Sequence, residues 1–453
     1  MPRNFPSLVL LTAILLPTCV VAADVLSLDA ALRHALSLNP ELRAAGRQAQ
    51  AADARADAAK GAFLPQLGVR YMVRRSDNPL DAFADKLNTR STNPADFGNA
   101  QTLNYPDAST LHATQLALEM PLYTGGRLVA GARAAGATAQ AAHLDYEHRQ
   151  QTTAYNTLHA YRVAQVAASA LTIANDAVDA ARDHAQTTAR LARQGRIVAS
   201  DSLTAELNLA TAQGLREQAA NRQRLALEAL RLVTGLPATA ELLLPAWENA
   251  SPAALSAVTE TQSEQRALAT RKDILAHEAQ LVASRAKISA ARAAFQPQVG
   301  VIAADSWYDD NASLSNKSQS IMGVVSLNLF NGGRDWHGLT AAQHDTEQSE
   351  LHLEGLQQAV RAEVRAAASR LNEANARRQI AGQTVGKARE NVRLVKLRYG
   401  EGRTILIDLL MAERVLVEAR NEELTAALGQ ELSAAQLQLA EGSLALPGAT
   451  PGH

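Results

Sequence analysis

Pro121-Leu122-Tyr123-Thr124-Gly125-Gly126-Arg127 recurs 207 residues later as Asn328-Leu329-Phe330-Asn331-Gly332-Gly333-Arg334. At the same offset Gly195-Arg196 meets Gly402-Arg403, Asp201 meets Asp408, Leu203 meets Leu410, Glu206 meets Glu413 and Gly235 meets Gly442. One ungapped register therefore holds over roughly 115 residues. Upstream, Phe63-Leu64-Pro65-Gln66-Leu67-Gly68-Val69 recurs as Phe295-Gln296-Pro297-Gln298-Val299-Gly300-Val301 at an offset of 232, and the difference of 25 residues is extra loop in the first half. Ala-rich helices can mimic one another by chance, but Gly-Gly-Arg together with Phe-x-Pro-Gln does not arise that way. The chain is an internal duplication, and its fold is one that a repeated half can build.

Working outward from the Gly-Gly-Arg motifs, the helices follow from proline placement. No proline lies between Leu122 and Leu236, between Ala253 and Gln296, or between Gln298 and Leu446. Proline costs about 3 kcal/mol inside a helix, so these Ala-, Leu-, Arg-, Glu- and Gln-rich stretches read as long helices. From Arg127 to Gly195 is 68 residues, and Arg334 to Gly402 repeats that count. At about 1.5 Å per residue each such helix is about 100 Å long. Turns at Gly195 and Gly402 reverse the chain, and helices resume to about Thr234 and Glu441. The first helices start near Ser27 and again at Asn39-Pro40, an N-cap followed by proline at the first helical position.

The seam of the second long helix alternates at steps of four and three: Val360, Val364, Ala367, Leu371, Ala374, Arg378, Ala381, Val385, Ala388, Val392, Val395 and Tyr399. Only Arg378 interrupts it, and the first-half positions Ala160, Ala164, Ala167, Leu171, Ala174, Val178 and Ala181 are smaller still. A sustained period of 3.5 argues coiled-coil packing, and small residues let backbones approach closely. Composition agrees: about a fifth of the chain is Ala, and aromatics are only 4%.

Four segments have period two instead. Leu67, Val69, Tyr71 and Val73 alternate with Gln66, Gly68, Arg70 and Arg74, and Leu116, Leu118, Met120 and Leu122 with Gln115, Ala117, Glu119 and Pro121. Val325, Leu327 and Leu329 repeat the period, and Val299, Val301 and Ala303 are the counterpart of the first set, running towards Trp307-Tyr308. Such strands are half-buried, and about 10 to 14 residues suffice to cross a bilayer at a barrel tilt. Eleven of the 17 aromatics fall between Phe63 and Tyr123 or between Phe295 and Trp336, as interfacial girdles would require. Four strands cannot close a barrel, and an open edge is not tolerated in lipid, so several copies must contribute strands. The hairpin loops, about Ser76–Ser109 and Asp309–Ser318, would face outside the cell.

The N-terminus reads as an export signal: Met1 to Arg3 are cationic, Leu8 to Leu16 are apolar, and Val21-Ala22-Ala23 offers a cleavage site before Asp24. The lone Cys19 either leaves with this segment or carries a lipid; Leu16-Pro17-Thr18 before it favours removal. No later run of 18 apolar residues exists, so the exported chain is soluble or spans a membrane as a barrel. The expected division is an export signal at 1–23 and a first repeat at 24–235, with its β-hairpin about 63–123 and long helix pair 127–234. A linker follows at 236–252. The second repeat is 253–442, with its hairpin about 295–331 and helix pair 334–441, before a flexible tail at 443–453.

Phe63-Leu64-Pro65-Gln66-Leu67-Gly68, the two Gly-Gly-Arg motifs and the hairpin Arg398-Tyr399-Gly400-Glu401-Gly402-Arg403-Thr404-Ile405-Leu406-Ile407-Asp408-Leu409-Leu410 resemble those of the TolC-like outer membrane efflux proteins. Leu26-Ser27-Leu28-Asp29-Ala30-Ala31-Leu32 with Asn39-Pro40-Glu41-Leu42 resembles that family's mature start. The resemblance implies a mainly α protein with a β-barrel part, working as a homotrimer. Its twelve strands would form one outer membrane barrel, surrounded by lipid and continued by a helical periplasmic tunnel. It also implies a periplasmic adaptor and an inner-membrane transporter as partners, for efflux or type I secretion. It puts Gly195, Arg196, Gly402 and Arg403 at adaptor-docking tips and Asp408 at the closed tunnel mouth. By the duplication Asp201 is the twin of Asp408. Many relatives carry a second acid one turn after the Asp408 position, where this chain has Met411, so the gate is expected to be more apolar. Gly125, Gly126 and Arg127, with Gly332, Gly333 and Arg334, would mark the barrel–tunnel junction.

Other functions lack support. A net charge of −1 gives no electrostatic case for nucleic acid. P-loop, Gly-x-Ser-x-Gly and His-Glu-x-x-His motifs are absent, and one Cys excludes a Cys-cluster site. His337, His344 and His352 share a helix face but stand about 10 Å apart, too far for one metal ion. No enzyme activity, cofactor or metal is expected. The alternative to a duct is an exported periplasmic coiled-coil structural or adaptor protein without a barrel.

Overall fold

The structure is a computed structural model that describes residues 25–247 and 260–447. The expected export segment at 1–23, the last part of the 236–252 linker and the end of the 443–453 tail lie outside the described residues.

Each half opens with a broken helix. In the first, α1 (Leu28–Leu38) starts where the Ser27 hydroxyl accepts the Ala30 N–H at 3.2 Å. It stops at Asn39, whose side chain accepts the Leu42 N–H at 3.1 Å and so starts α2 (Pro40–Gly61). Leu42, Ala45, Ala49, Ala52 and Ala56 recur at steps of three and four and are buried. β1 (Gln66–Ser76) follows, then the short helices α3 (Pro79–Asn88), α4 (Pro94–Gly98) and α5 (Ala100–Asn104), and β2 (Ser109–Thr124). The long helices α6 (Arg127–Arg193) and α7 (Ala199–Thr234) complete the half.

The second half repeats this plan. The broken helix is α8 (Glu260–Thr270) and α9 (Lys272–Arg292), closed by a 3₁₀ turn at Ala293–Phe295. β3 (Gln298–Asp309), β4 (Asn316–Ser326), α10 (Arg334–Gly400) and α11 (Leu406–Ala440) follow. α6 and α10 both have 67 residues, about 100 Å at 1.5 Å per residue. α6 packs on α7, α9, α2 and α11, whereas α10 packs on α11, α9 and α8.

The expected seam is the packed one. Val360, Val364, Ala367, Ala381, Val385 and Ala388 of α10 are buried, as are Ala160, Ala164, Val178 and Ala181 of α6. Arg378, the interruption, spans to α11 and donates to the Glu423 carbonyl at 3.3 Å.

Both breaks in the opening helices sit over a glycine from the end of the half. Gly235, in the left-handed region at φ +71, would place a Cβ 2.8 Å from the Leu38 carbonyl carbon. Gly442 takes the same place beneath Arg271, between α8 and α9. Asn39 Nδ2 donates to the Val233 carbonyl at 2.9 Å, and Arg271 donates to the equivalent carbonyl of Ala440 at 3.2 Å.

The strands form one antiparallel sheet in the order β1-β2-β3-β4, leaving β1 and β4 as free edges. The register puts Leu67, Leu118, Ala303 and Ile321 on one face, with Val69, Leu116, Met120, Val301 and Val325. The opposite face is more polar, with Gln66, Arg70, Arg74, Gln115, Glu119, Ser306 and Ser320, but it also carries Met72, Ile302, Met322 and Val324. An 11-residue strand is about 36 Å long, which at a 45° tilt covers about 26 Å, the height of a lipid-facing band.

Two expectations need correction. β4 ends at Ser326, so Leu327 and Leu329 lie beyond it. Ser326 pairs with Gln298, the first residue of β3, and Pro297 before it has no N–H to extend the ladder. The extra loop of the first half is not irregular: it holds α3, α4 and α5, capped by Asn78, Asn93 and Asn99. Asn78-Pro79 and Asn93-Pro94 repeat the signal at Asn39-Pro40 and were legible by the same rule.

Candidate functional site

The residues singled out in the sequence fall in three places: the sheet, its junction with the long helices, and the far helix tips. At the loop end of the apolar sheet face, Tyr71 Oη lies 2.6 Å from His112 Nδ1, and Lys317 stands 5.7 Å over the Trp307 ring. Lys317 also pairs with Asp305 at 3.0 Å. At the helix end are Phe63, Tyr123, Phe295, Phe330 and Trp336, all exposed. Aromatic side chains therefore bracket the apolar band at both ends.

At the junction, Gly125 and Gly126 turn the chain from β2 into α6, and Gly332 and Gly333 turn it into α10, all four with positive φ. Arg127 and Arg334 are the first residues of these helices. Thr124 Oγ1 accepts the Leu128 N–H at 3.3 Å, and Asn331 Oδ1 accepts the equivalent Asp335 N–H at 3.3 Å. Gly125 admits no side chain: a Cβ would sit 2.5 Å from Gln296 Cβ and 2.7 Å from the Ala293 carbonyl oxygen. At Gly332 the same position is open.

At the tips, both long helices end in a Schellman turn. Arg196 N–H donates to the Leu191 carbonyl and Gly195 N–H to that of Ala192, at 3.0 and 2.9 Å. Arg403 and Gly402 repeat these bonds to Arg398 and Tyr399, at 2.8 and 3.0 Å. All four tip residues are exposed, and Arg403 pairs with Glu401 at 3.1 Å.

α7 and α11 begin without a side-chain cap, at Val198 and Ile405. Asp201 and Asp408 then stand in the first turn, where the helix dipole favours negative charge. Their surroundings differ. Asp408 is exposed, beside exposed Met411, and its carboxylate accepts a hydrogen bond from Thr404. Asp201 has Ile197 where Asp408 has Thr404, and its charge acts on Tyr399 of the other half. Burial first, and then the Asp201 charge, hold the Tyr399 phenol above its ordinary range. Tyr399 packs on a cluster of Ala185, Ala205, Leu406 and Leu410 that joins the two tips.

Further up, polar bridges tie α6 to α11. His184 Nε2 lies 3.0 Å from Glu413 Oε2, and Arg162 Nε donates to Glu431 Oε1 at 2.7 Å. Sequence reading had Glu413 only as a mark of the repeat. Its twin Glu206 has no equivalent bridge to predict this one, because the position matching His184 is Asn391. Among the described residues no helix is long and apolar enough to cross a membrane. His344, one of the three histidines on the α10 face, pairs with Glu347 at 3.0 Å.

Comparison with known proteins identifies relatives along nearly the whole chain. The model of the "outer membrane efflux protein" family matches residues 31–236 and 264–443. The alkaline protease secretion protein AprF of Pseudomonas aeruginosa is 25% identical over 394 residues, covering 86% of this chain and 78% of AprF. Outer membrane protein TolC of Salmonella enteritidis is 24% identical over 420 residues, covering 90% of this chain and 80% of TolC. Among solved structures, the Campylobacter jejuni CmeC outer membrane channel superimposes with a TM-score of 0.80 at 17% identity, over 93% of this chain and 87% of CmeC, which establishes the fold.

Proposed function

This chain belongs to the outer membrane efflux protein family, and from that premise we propose that it is the passive exit duct of a tripartite efflux or type I secretion system. Three copies close a twelve-stranded barrel in the outer membrane, and their long helices form a periplasmic tunnel. Energy comes from an inner-membrane transporter, coupled through a periplasmic adaptor. AprF is named for protease secretion, which supports the secretion role beside efflux.

The observation that carries this reading is the sheet. Below its loop end one face is apolar, the other mixes polar side chains with Met72, Ile302, Met322 and Val324, both edges are free, and helices of about 100 Å hang from one end. A free edge is costly in lipid, so β1 of one copy pairs with β4 of the next. Exposed Leu207 and Leu232 on α7, and Leu351 and Ile380 on α10, supply apolar surface for the neighbouring copies.

Within the duct, Gly195, Arg196, Gly402 and Arg403 form the adaptor-docking tips. Asp408 and Met411 line the tunnel mouth, with Asp201, half-buried, beside it. The junction glycines and Arg127 and Arg334 turn the barrel wall into the tunnel wall.

Membrane fractionation tests the reading. The protein is expected in the outer membrane as a detergent-stable trimer that conducts ions in planar bilayers, and a soluble periplasmic pool alone would sink it. Asp408→Ala should raise conductance or alter cation block; an unchanged trace would remove Asp408 from the gate.

A further inference from the structure

The two hairpins differ at their loops. The β3–β4 connection is short, whereas the β1–β2 connection carries α3, α4 and α5. That longer connection is fastened at both ends. Arg74, near the end of β1, pairs with Asp81 at 2.9 Å and with Asp85. Asp85 is only 4% exposed and also accepts the Ser109 hydroxyl at 3.0 Å, while Ser76 donates to Asp81 at 2.8 Å. Across the sheet, the Arg90 guanidinium donates to the Lys317 carbonyl at 3.0 Å. The segment is thus a strap from β1 to β4, and α3 packs on the two strands between.

The strap chooses a face. Arg74 lies on the polar face of the sheet, in register with Leu111, and Ala113, Ala304 and Ser306 share that face. All four of these neighbours are buried, and so is Ala82 of α3. If the apolar face meets lipid, the polar face lines the lumen, and α3 is folded inside the mouth. Twelve strands about 4.8 Å apart, tilted about 45°, enclose a barrel about 26 Å across. A helix with its side chains is about 10 Å thick, so three such straps fill that opening.

We propose that residues 79–105 form a lid over the outer mouth, with α3 against the lumen wall and Arg74, Asp81 and Asp85 as its latch. This rests on the duct reading, since it needs the barrel. Arg74 Nε is buried without a hydrogen-bond partner, so the closed position is less deep than a fully satisfied network would make it.

The test uses intact cells and cysteines placed in the full-length protein. Gln115→Cys lies on the lumen face below the lid, and Ala95→Cys lies on exposed α4. A small maleimide and a bulky PEG-maleimide are added from outside. With the latch intact, the bulky reagent should label Gln115→Cys slowly. With Asp81→Asn and Asp85→Asn it should react at least about tenfold faster, because a broken buried pair shifts the closed population by that much or more. Replacing residues 79–105 by a short Gly-Ser turn should give the same fast rate, and it carries the test should the paired Asn variant fail to assemble. Equal rates with and without the lid, while Ala95→Cys labels readily, overturn the lid alone. No labelling of Ala95→Cys by either reagent overturns the outward orientation and the duct reading beneath it.

Discussion

Asn39 and Arg271 occupy the same joint in the two halves and solve it with different chemistry. Each breaks its opening helix over a glycine, and each donates to an equivalent carbonyl, Val233 or Ala440. Asn39 is a neutral cap that starts α2. Arg271 is buried and binds Asp273 through two bonds, at 3.0 and 2.7 Å, with Glu363 at 2.6 Å. The same divergence recurs at the junction, where Gly125 is crowded and Gly332 is open, and at the tips, where Asp201 is half-buried and Asp408 is exposed. Duplication has kept the backbone path, because helix length and turn geometry must match for the halves to pack side by side. Side-chain chemistry has followed each half's neighbours.

Substitutions at paired positions can break this contrast. The largest difference is expected at the junction. Gly125→Ala combines overlap with Gln296 and Ala293 and a left-handed backbone, and should cost about 3–4 kcal/mol. Gly332→Ala meets only the backbone term, about 1 kcal/mol. Thermal unfolding of the detergent-solubilised protein measures both, and equal losses would remove crowding as the distinction. Next is the joint. Arg271→Met strands the buried Ala440 carbonyl and the part-buried Asp273 and should cost about 3 kcal/mol, against about 1 kcal/mol for Asn39→Ala.

Acid should sharpen the same pair. Burial works against the Asp273 charge, but the hydrogen bonds and charge of Arg271 outweigh it and hold the carboxyl below its usual range. Stability from this group is therefore present above the unfolded carboxylate pKa, about 3.9, and is lost as pH falls through the lower folded value. Asp273→Asn should remove that acid-dependent part of the stability curve. A profile unchanged by the substitution would contradict the assignment. The smallest effect is optical. Asp201→Asn should bring the Tyr399 phenol down towards its ordinary range in an alkaline absorbance titration, whereas Asp408→Asn should leave it unmoved.

Much of the architecture was legible because it rests on local rules. Proline-free runs, the Asn39-Pro40 cap and the seam from Val360 to Tyr399 each depend on residues a few positions apart. The strands were legible from their period of two, except where a partner ran out: the end of β4 is set by Pro297, which alternation at Leu327 and Leu329 does not register. Least legible was what depends on long-range pairing. Nothing local to His184 announces Glu413, and the twin acids look alike in sequence although only the Asp201 charge acts on the Tyr399 phenol. The strap is a different case: its length suggests a loop, whereas Asn78-Pro79 and Asn93-Pro94 are helix starts.

The free edges of the sheet also bear on how the molecule is made. A single copy has no way to satisfy the outer backbone groups of β1 and β4 in lipid, whereas its helices are stitched mainly by contacts within each half. The helical arms can therefore fold in water before any strand leaves it, and membrane insertion becomes a collective step. Its rate should climb steeply with the number of copies present, so scarcity of protein, rather than slow folding of a chain, would set the pace of assembly.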